Sequence, residues 1–144
     1  MRLTVFTDYG LRLLMYVALK TDGRATIQEV ADAYGISKNH LMKVAYDLGR
    51  HGFLETVRGR GGGLRLARAP DKIGLGDAIR RMEEDFALVE CFAPETNNCG
   101  ITGPCRLKGV LREALDAYLA VLDRYTLADL TGHNSALSNL LLTR

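Results

Sequence analysis

Cysteine is scarce in this 144-residue sequence: Cys91, Cys99 and Cys105 are the whole set. An odd, clustered trio argues against a disulfide framework. Also missing is any apolar run of the ~18 residues that a membrane-spanning helix needs. The opening stretch MRLTVFTDYGLRLLMYVALK resembles a signal peptide in length. However, Asp8 stands among its early residues, its apolar positions are helically spaced, and no small-residue cleavage site follows. These absences predict a cytoplasmic protein without a membrane partner. No Cys-x-x-Cys pair marks a thiol oxidoreductase. The run Gly59-Arg60-Gly61-Gly62-Gly63 lacks the Gly-Lys-Ser/Thr ending and the following helix of a phosphate-binding loop. Paired catalytic carboxylates and a nucleophile–base pair are absent too, so an enzyme is not expected. There is no internal repeat and no low-complexity tract.

What is present suits one compact domain, or a small domain with an oligomerisation element. Hydrophobic residues make up 47% of the chain, enough for a core. The net charge of +2 conceals an asymmetry. Residues 1–70 hold eleven Lys/Arg against six Asp/Glu, whereas residues 71–144 hold eight against eleven. The first half therefore suits a polyanionic partner.

Periodicity gives the order of elements. Thr7 or Asp8 is expected to cap a first helix running to about Lys20, with Leu11, Leu14, Met15, Ala18 and Leu19 on one face. Thr26 and Glu29 form a capping-box pattern that starts a second helix, which Gly35 stops. Ser37 is expected to cap a third, from Lys38 to about His51, with Leu41, Val44, Ala45 and Leu48 inward. The period then switches. Residues 53–57 and 64–68 read as two strands around a glycine-rich turn. Helix, helix, turn, helix and hairpin make a winged helix-turn-helix over residues 1–70. A short helix ends near Met82, and the cysteine loop completes a second segment, residues 71–105. The third, residues 106–144, opens with a long helix from Arg106 to about Arg124, followed by short helices near 126–131 and 135–142. The apolar set of the long helix is too wide for a lone surface helix and calls for a partner helix. The fold class is thus mainly α with a small β-hairpin wing.

The second helix of a helix-turn-helix pair presents its N-terminal residues to base edges in the major groove. Those residues are Ser37, Lys38, Asn39 and His40, with Met42 and Lys43 one turn on. Lysine donates to guanine, asparagine pairs with adenine, and a helix N-terminus suits phosphate. Arg58 and Arg60 sit among the glycines of the wing, where arginine suits a narrow minor groove. A basic run is commonly just a solvated face. Here the charges fall where a winged helix meets double-stranded DNA.

The loop CFAPETNNCGITGPC spaces its cysteines as Cys-x7-Cys-x5-Cys. Zinc sites favour close Cys-x2–4-Cys pairs, and His40, His51 and His133 lie far from the loop in sequence. One cysteine could be a small buried hydrophobe, but three within fifteen residues fit iron–sulfur ligation better. A cubane would still need a fourth, oxygen or nitrogen, ligand. A structural zinc site is the weaker alternative.

Taken together, MRLTVFTDYGLRLLMYVA, GISKNHLMKVAYDLGRHGFLETVRGRGGGLRLA, CGITGPCRLKGVLREAL and YTLADLTG resemble the IscR-like iron–sulfur winged-helix regulators over nearly the whole chain. FTDYGLR and the Cys-x5-Cys-Arg-Leu-Lys arrangement favour the nitric-oxide-sensitive repressors of that family. The resemblance implies a homodimeric repressor whose long C-terminal helices pack across the dimer. It implies an iron–sulfur cluster, 4Fe-4S with 2Fe-2S as the alternative, held by Cys91, Cys99, Cys105 and Asp8 of the partner subunit. Asp8 by itself reads as a helix cap, and Arg12, four residues on, is placed to hold its carboxylate. Nitric oxide would be the signal. Sensing of iron or cluster status on the same fold is the other expectation. The seven residues between the first two cysteines are the main departure from the family pattern.

Overall fold

The computed structural model describes residues 2–143; Met1 and Arg144, the outermost residues of the first and third expected segments, lie outside them. Among the described residues, seven α-helices and one antiparallel hairpin follow in the order α1 (Val5–Leu19), α2 (Ile27–Tyr34), α3 (Lys38–Arg50), β1 (Leu54–Val57), β2 (Gly63–Leu66), α4 (Leu75–Met82), α5 (Arg106–Asp123), α6 (Leu127–Thr131) and α7 (Ser135–Leu142).

The first helix starts earlier than its sequence suggests. Thr4, not Thr7 or Asp8, is the N-cap, and its hydroxyl accepts from the Thr7 amide at 3.2 Å. Thr7 is fully buried, and its hydroxyl pairs with that of Thr4 at 3.0 Å. Asp8 is thereby released from capping and lies in the first turn. The second helix follows its pattern. Thr26 and Glu29 exchange both capping-box bonds, and Gly35 closes the helix in the left-handed conformation at φ 64°. Ser37 occupies the N-cap of α3 but makes no side-chain cap bond.

Leu13, Leu14 and Val17 of α1, Val30 of α2, Leu41, Val44 and Leu48 of α3 and Phe53 before β1 fill the centre of the core. α1 is its axis, touching α3, β2, α4 and α6. Gly10 lets α4 approach: the Met82 sulfur occupies the space a β-carbon would take, with Val44 of α3 beside it. The core continues through Ile73, Ala78, Leu127 and Leu141.

β1 and β2 pair in the register Leu54–Leu66, Glu55–Arg65, Thr56–Leu64 and Val57–Gly63. Arg65 and Glu55 form a cross-strand ion pair at 2.8 Å. Ala25, in the α1–α2 loop, bridges to Leu64 as a rudimentary third strand. Two further links tie the helices of the second half together. The Leu75 amide donates to the Tyr125 carbonyl at 2.9 Å. Arg80 of α4 grips Asp123 of α5 through two hydrogen bonds of 2.5 and 2.8 Å.

Candidate nucleic-acid interface and cysteine loop

The inward seam of α3 is Leu41, Val44, Ala45 and Leu48, so helical geometry turns the intervening positions outward. Ser37, Lys38, Asn39, His40 and Lys43 are all exposed. Neither lysine enters an ion pair among the described residues. The same face carries Met42 at 53% and Tyr46 at 70% exposure. Tyr46 is absent from the sequence-derived set. The signal for it was its spacing, four residues after Met42 and opposite the buried seam.

Arg58 and Arg60 are exposed on the turn between β1 and β2, at the far end of the hairpin from its Leu54–Leu66 pair. Gly59 and Gly61 take φ of 93° and 69°, which side-chain-bearing residues rarely adopt. The basic wing and the basic start of α3 therefore form two exposed elements of the head, each backed by buried residues.

Asp8 and Arg12 are brought together as expected. Arg12 Nη2 lies 2.8 Å from Asp8 Oδ2, and Nε donates to Oδ1 at 3.1 Å. The guanidinium carbon lies 6.0 Å from the centre of the Tyr9 ring and 5.9 Å from that of Tyr34. Burial pushes the Tyr34 phenol up to about 12, opposed in part by the nearby Arg12 charge. The Tyr34 hydroxyl is buried and has no hydrogen-bond partner among the described residues. Tyr9 in turn lies against His40 of α3, with ring centres 6.1 Å apart. The start of α1 is thus in contact with the start of α3.

The three cysteines are free thiols, each partly buried. Cys91 lies in a single turn, Glu90–Phe92, beside Phe92, whose ring is covered by the Arg112 guanidinium of α5 at 3.9 Å. The Cys99 amide donates to Asn97 Oδ1 at 3.1 Å, and Thr102 Oγ1 donates to the Cys99 carbonyl at 2.7 Å. Glu90 accepts from the Asn98 amide at 2.5 Å, linking the first cysteine's turn to the second's. Cys105 is the N-cap of α5. Among the described residues, no three His, Cys, Asp or Glu side chains form a metal-holding group. The donor set nevertheless fits an iron–sulfur cluster in kind: three unpaired, accessible thiols share one loop rich in turns.

A helix-turn-helix followed by an anchored basic hairpin defines the class, a winged-helix transcriptional regulator. Residues 3–133 match the model of the Rrf2 family, iron-dependent transcriptional regulators, and the chain belongs to that family. Its relatives include the HTH-type transcriptional regulator NsrR of Halalkalibacterium halodurans, 52% identical over 142 residues covering 98% of this chain and 97% of that protein. NsrR of Bacillus subtilis is 51% identical, again over 98% of this chain and 97% of its own. Among solved structures, IscR of T. potens superposes with a TM-score of 0.71 at 27% identity, covering 90% of this chain and 85% of that one. The family match and the NsrR relatives agree with the resemblance read from the sequence. The protein is a transcriptional regulator, not an enzyme.

Proposed function

We propose that the protein is a nitric-oxide-sensing transcriptional repressor that binds operator DNA as an iron–sulfur-loaded homodimer. The observation that carries this reading is the cysteine loop, three free thiols on the one segment that links α4 to α5, the last of them at the N-cap of α5. Cys91, Cys99 and Cys105 are the thiolate ligands, and Asp8 of the partner subunit is the fourth, holding a 4Fe-4S cluster. When bound, the cluster supplies iron that reacts with nitric oxide. An oxygen ligand is held less firmly than a thiolate, which suits a site that must let go. Arg12, already paired with Asp8 within the chain, competes for that carboxylate once it is released.

On the DNA side, Ser37, Lys38, Asn39, His40 and Lys43 enter the major groove, and Arg58 and Arg60 reach the flanking minor groove. The loop adjoins α4, whose Met82 packs on Gly10 of α1, and α1 touches the start of α3 through Tyr9 and His40. Release of the loop therefore acts on elements in contact with the reading helix. A ~100-fold change in DNA affinity needs only about 2.7 kcal/mol of coupling.

Anaerobic purification followed by nitric oxide titration tests this. The expected result is a coloured protein that releases DNA as its visible absorption bleaches. A colourless protein with unchanged binding contradicts it, and zinc in place of iron and sulfide would make the loop a structural site. Iron or cluster status as the signal is a second reading, favoured by the family's iron dependence. It predicts that iron withdrawal releases DNA and that nitric oxide does not.

A further inference from the structure

The wing that carries Arg58 and Arg60 is built from two four-residue strands and a turn with glycine at 59, 61 and 62. A two-stranded hairpin of that size is marginally stable by itself. Glycine widens the range of shapes its turn can visit. Fastenings from outside the hairpin hold it. Ala25 and Leu64 exchange two backbone hydrogen bonds, of 2.9 and 2.7 Å. At Gly63 the two backbones touch, since a β-carbon there would come within 2.8 Å of the Ala25 carbonyl oxygen. These contacts fix the strands. The turn is fixed by a side chain: Arg24 Nη1 donates to the Gly61 carbonyl at 2.9 Å, one residue after Arg60.

Arg24 is itself well placed to brace. Its amide donates to Asp22 Oδ1 at 3.2 Å, and the next residue is the bridging Ala25. Its side chain is exposed and makes no ion pair among the described residues, so nothing but the turn engages its charge there. We propose that Arg24 is a positioning residue for DNA binding, holding the wing turn in one shape so that Arg58 and Arg60 reach the minor groove preorganised. A brace of this kind raises affinity by reducing the entropy lost when the wing arginines are immobilised on DNA. The inference rests on the reading of the wing as a DNA contact.

The test is a double-mutant cycle on the full-length protein purified without oxygen. The probe is a duplex that the unmodified protein selects from a randomised library. Arg24→Ala is expected to weaken binding roughly five- to tenfold, by loss of preorganisation. It should also reduce the wing's minor-groove protection in a hydroxyl-radical footprint while leaving the protection of guanine N7 from dimethyl sulfate, in the major groove under α3, unchanged. In an Arg58→Ala/Arg60→Ala background, adding Arg24→Ala should change nothing further. A thermal melt within a few degrees of the unmodified protein shows that the fold survives, as the exposure of Arg24 leads one to expect. Additive losses would make Arg24 an independent phosphate contact and overturn the proposal, as would wild-type binding by Arg24→Ala. Wild-type binding by Arg58→Ala/Arg60→Ala would instead overturn the wing contact, and the brace with it.

Discussion

Helices α3 and α5 are both amphipathic, but they dispose of their apolar residues differently. α3 has 13 residues and buries Leu41, Val44, Ala45 and Leu48 against its own chain. α5 has 18 residues and buries only Leu115, leaving Leu107, Val110 and Val121 exposed at 61, 60 and 44%. The single chain completes the core around α3. On α5 it leaves apolar surface of the kind that marks an interaction site. A second copy packing its own α5 there would cover that surface and bring two cysteine loops and two N-termini into one assembly. The contrast separates a head finished by intrachain packing from a second half whose longest helix leaves apolar surface uncovered, as the proposed dimer requires.

Substitutions that act on one side and spare the other sharpen that contrast. The largest effect is expected at Phe53, which is fully buried beneath the hairpin. Phe53→Ala should cost about 3–5 kcal/mol in denaturant unfolding, through lost burial and a cavity. Val110→Glu with Val121→Glu should leave the unfolding of the head nearly unchanged. By sedimentation, the same pair should weaken dimerisation by about a hundredfold, since two apolar contacts are lost on each subunit. A stable dimer in that variant would place the interface elsewhere.

Thr26→Ala should cost about 1 kcal/mol by removing a helix cap. It belongs to the head and should not alter association. The smallest effect is local and depends on pH. The Arg80 guanidinium holds the Asp123 carboxyl below the usual carboxylate range. A depressed folded value means that the clamp contributes fully above the ordinary carboxylate pKa and is lost as pH falls through the lower, folded one. Amide protection factors in α5, which remove the intrinsic pH dependence of exchange, should therefore fall only in acid, and Asp123→Asn should remove that dependence. Unchanged acid sensitivity in the variant would show that the clamp is not what holds α5 to α4.

The features legible in the sequence are those set by near neighbours. The Thr26–Glu29 capping box, the helix stop at Gly35, the α3 seam and the presence of a hairpin all depend on residues a few positions apart or on alternation, whereas the register, with β2 starting at Gly63, was not legible. Thr7 is a good capping residue by type, so the sequence pattern alone places the start of α1 too late. Burial decided otherwise: Thr7 is enclosed in the core, and Thr4 is left to cap. The joints that organise the molecule connect residues far apart in sequence: Met82 on Gly10, Arg80 on Asp123, Arg24 on Gly61 and Phe92 under Arg112. No periodicity reports such pairs. The exposed residues of α3 and the wing were legible, since exposure follows from the buried pattern beside them. The pairing of Asp8 with Arg12 was legible too, being a one-turn contact.

Everything proposed for the second half depends on an iron–sulfur site shared between two subunits and completed by Asp8. Native mass spectrometry of the anaerobic protein tests it most directly, with the unmodified chain compared with Asp8→Ala. The expected result is a mass of two 15.9-kDa chains plus iron and sulfide, and a variant that still pairs but loses the iron and sulfide. A dimer carrying neither in the unmodified protein, or an Asp8→Ala variant that retains both equally well, would contradict it.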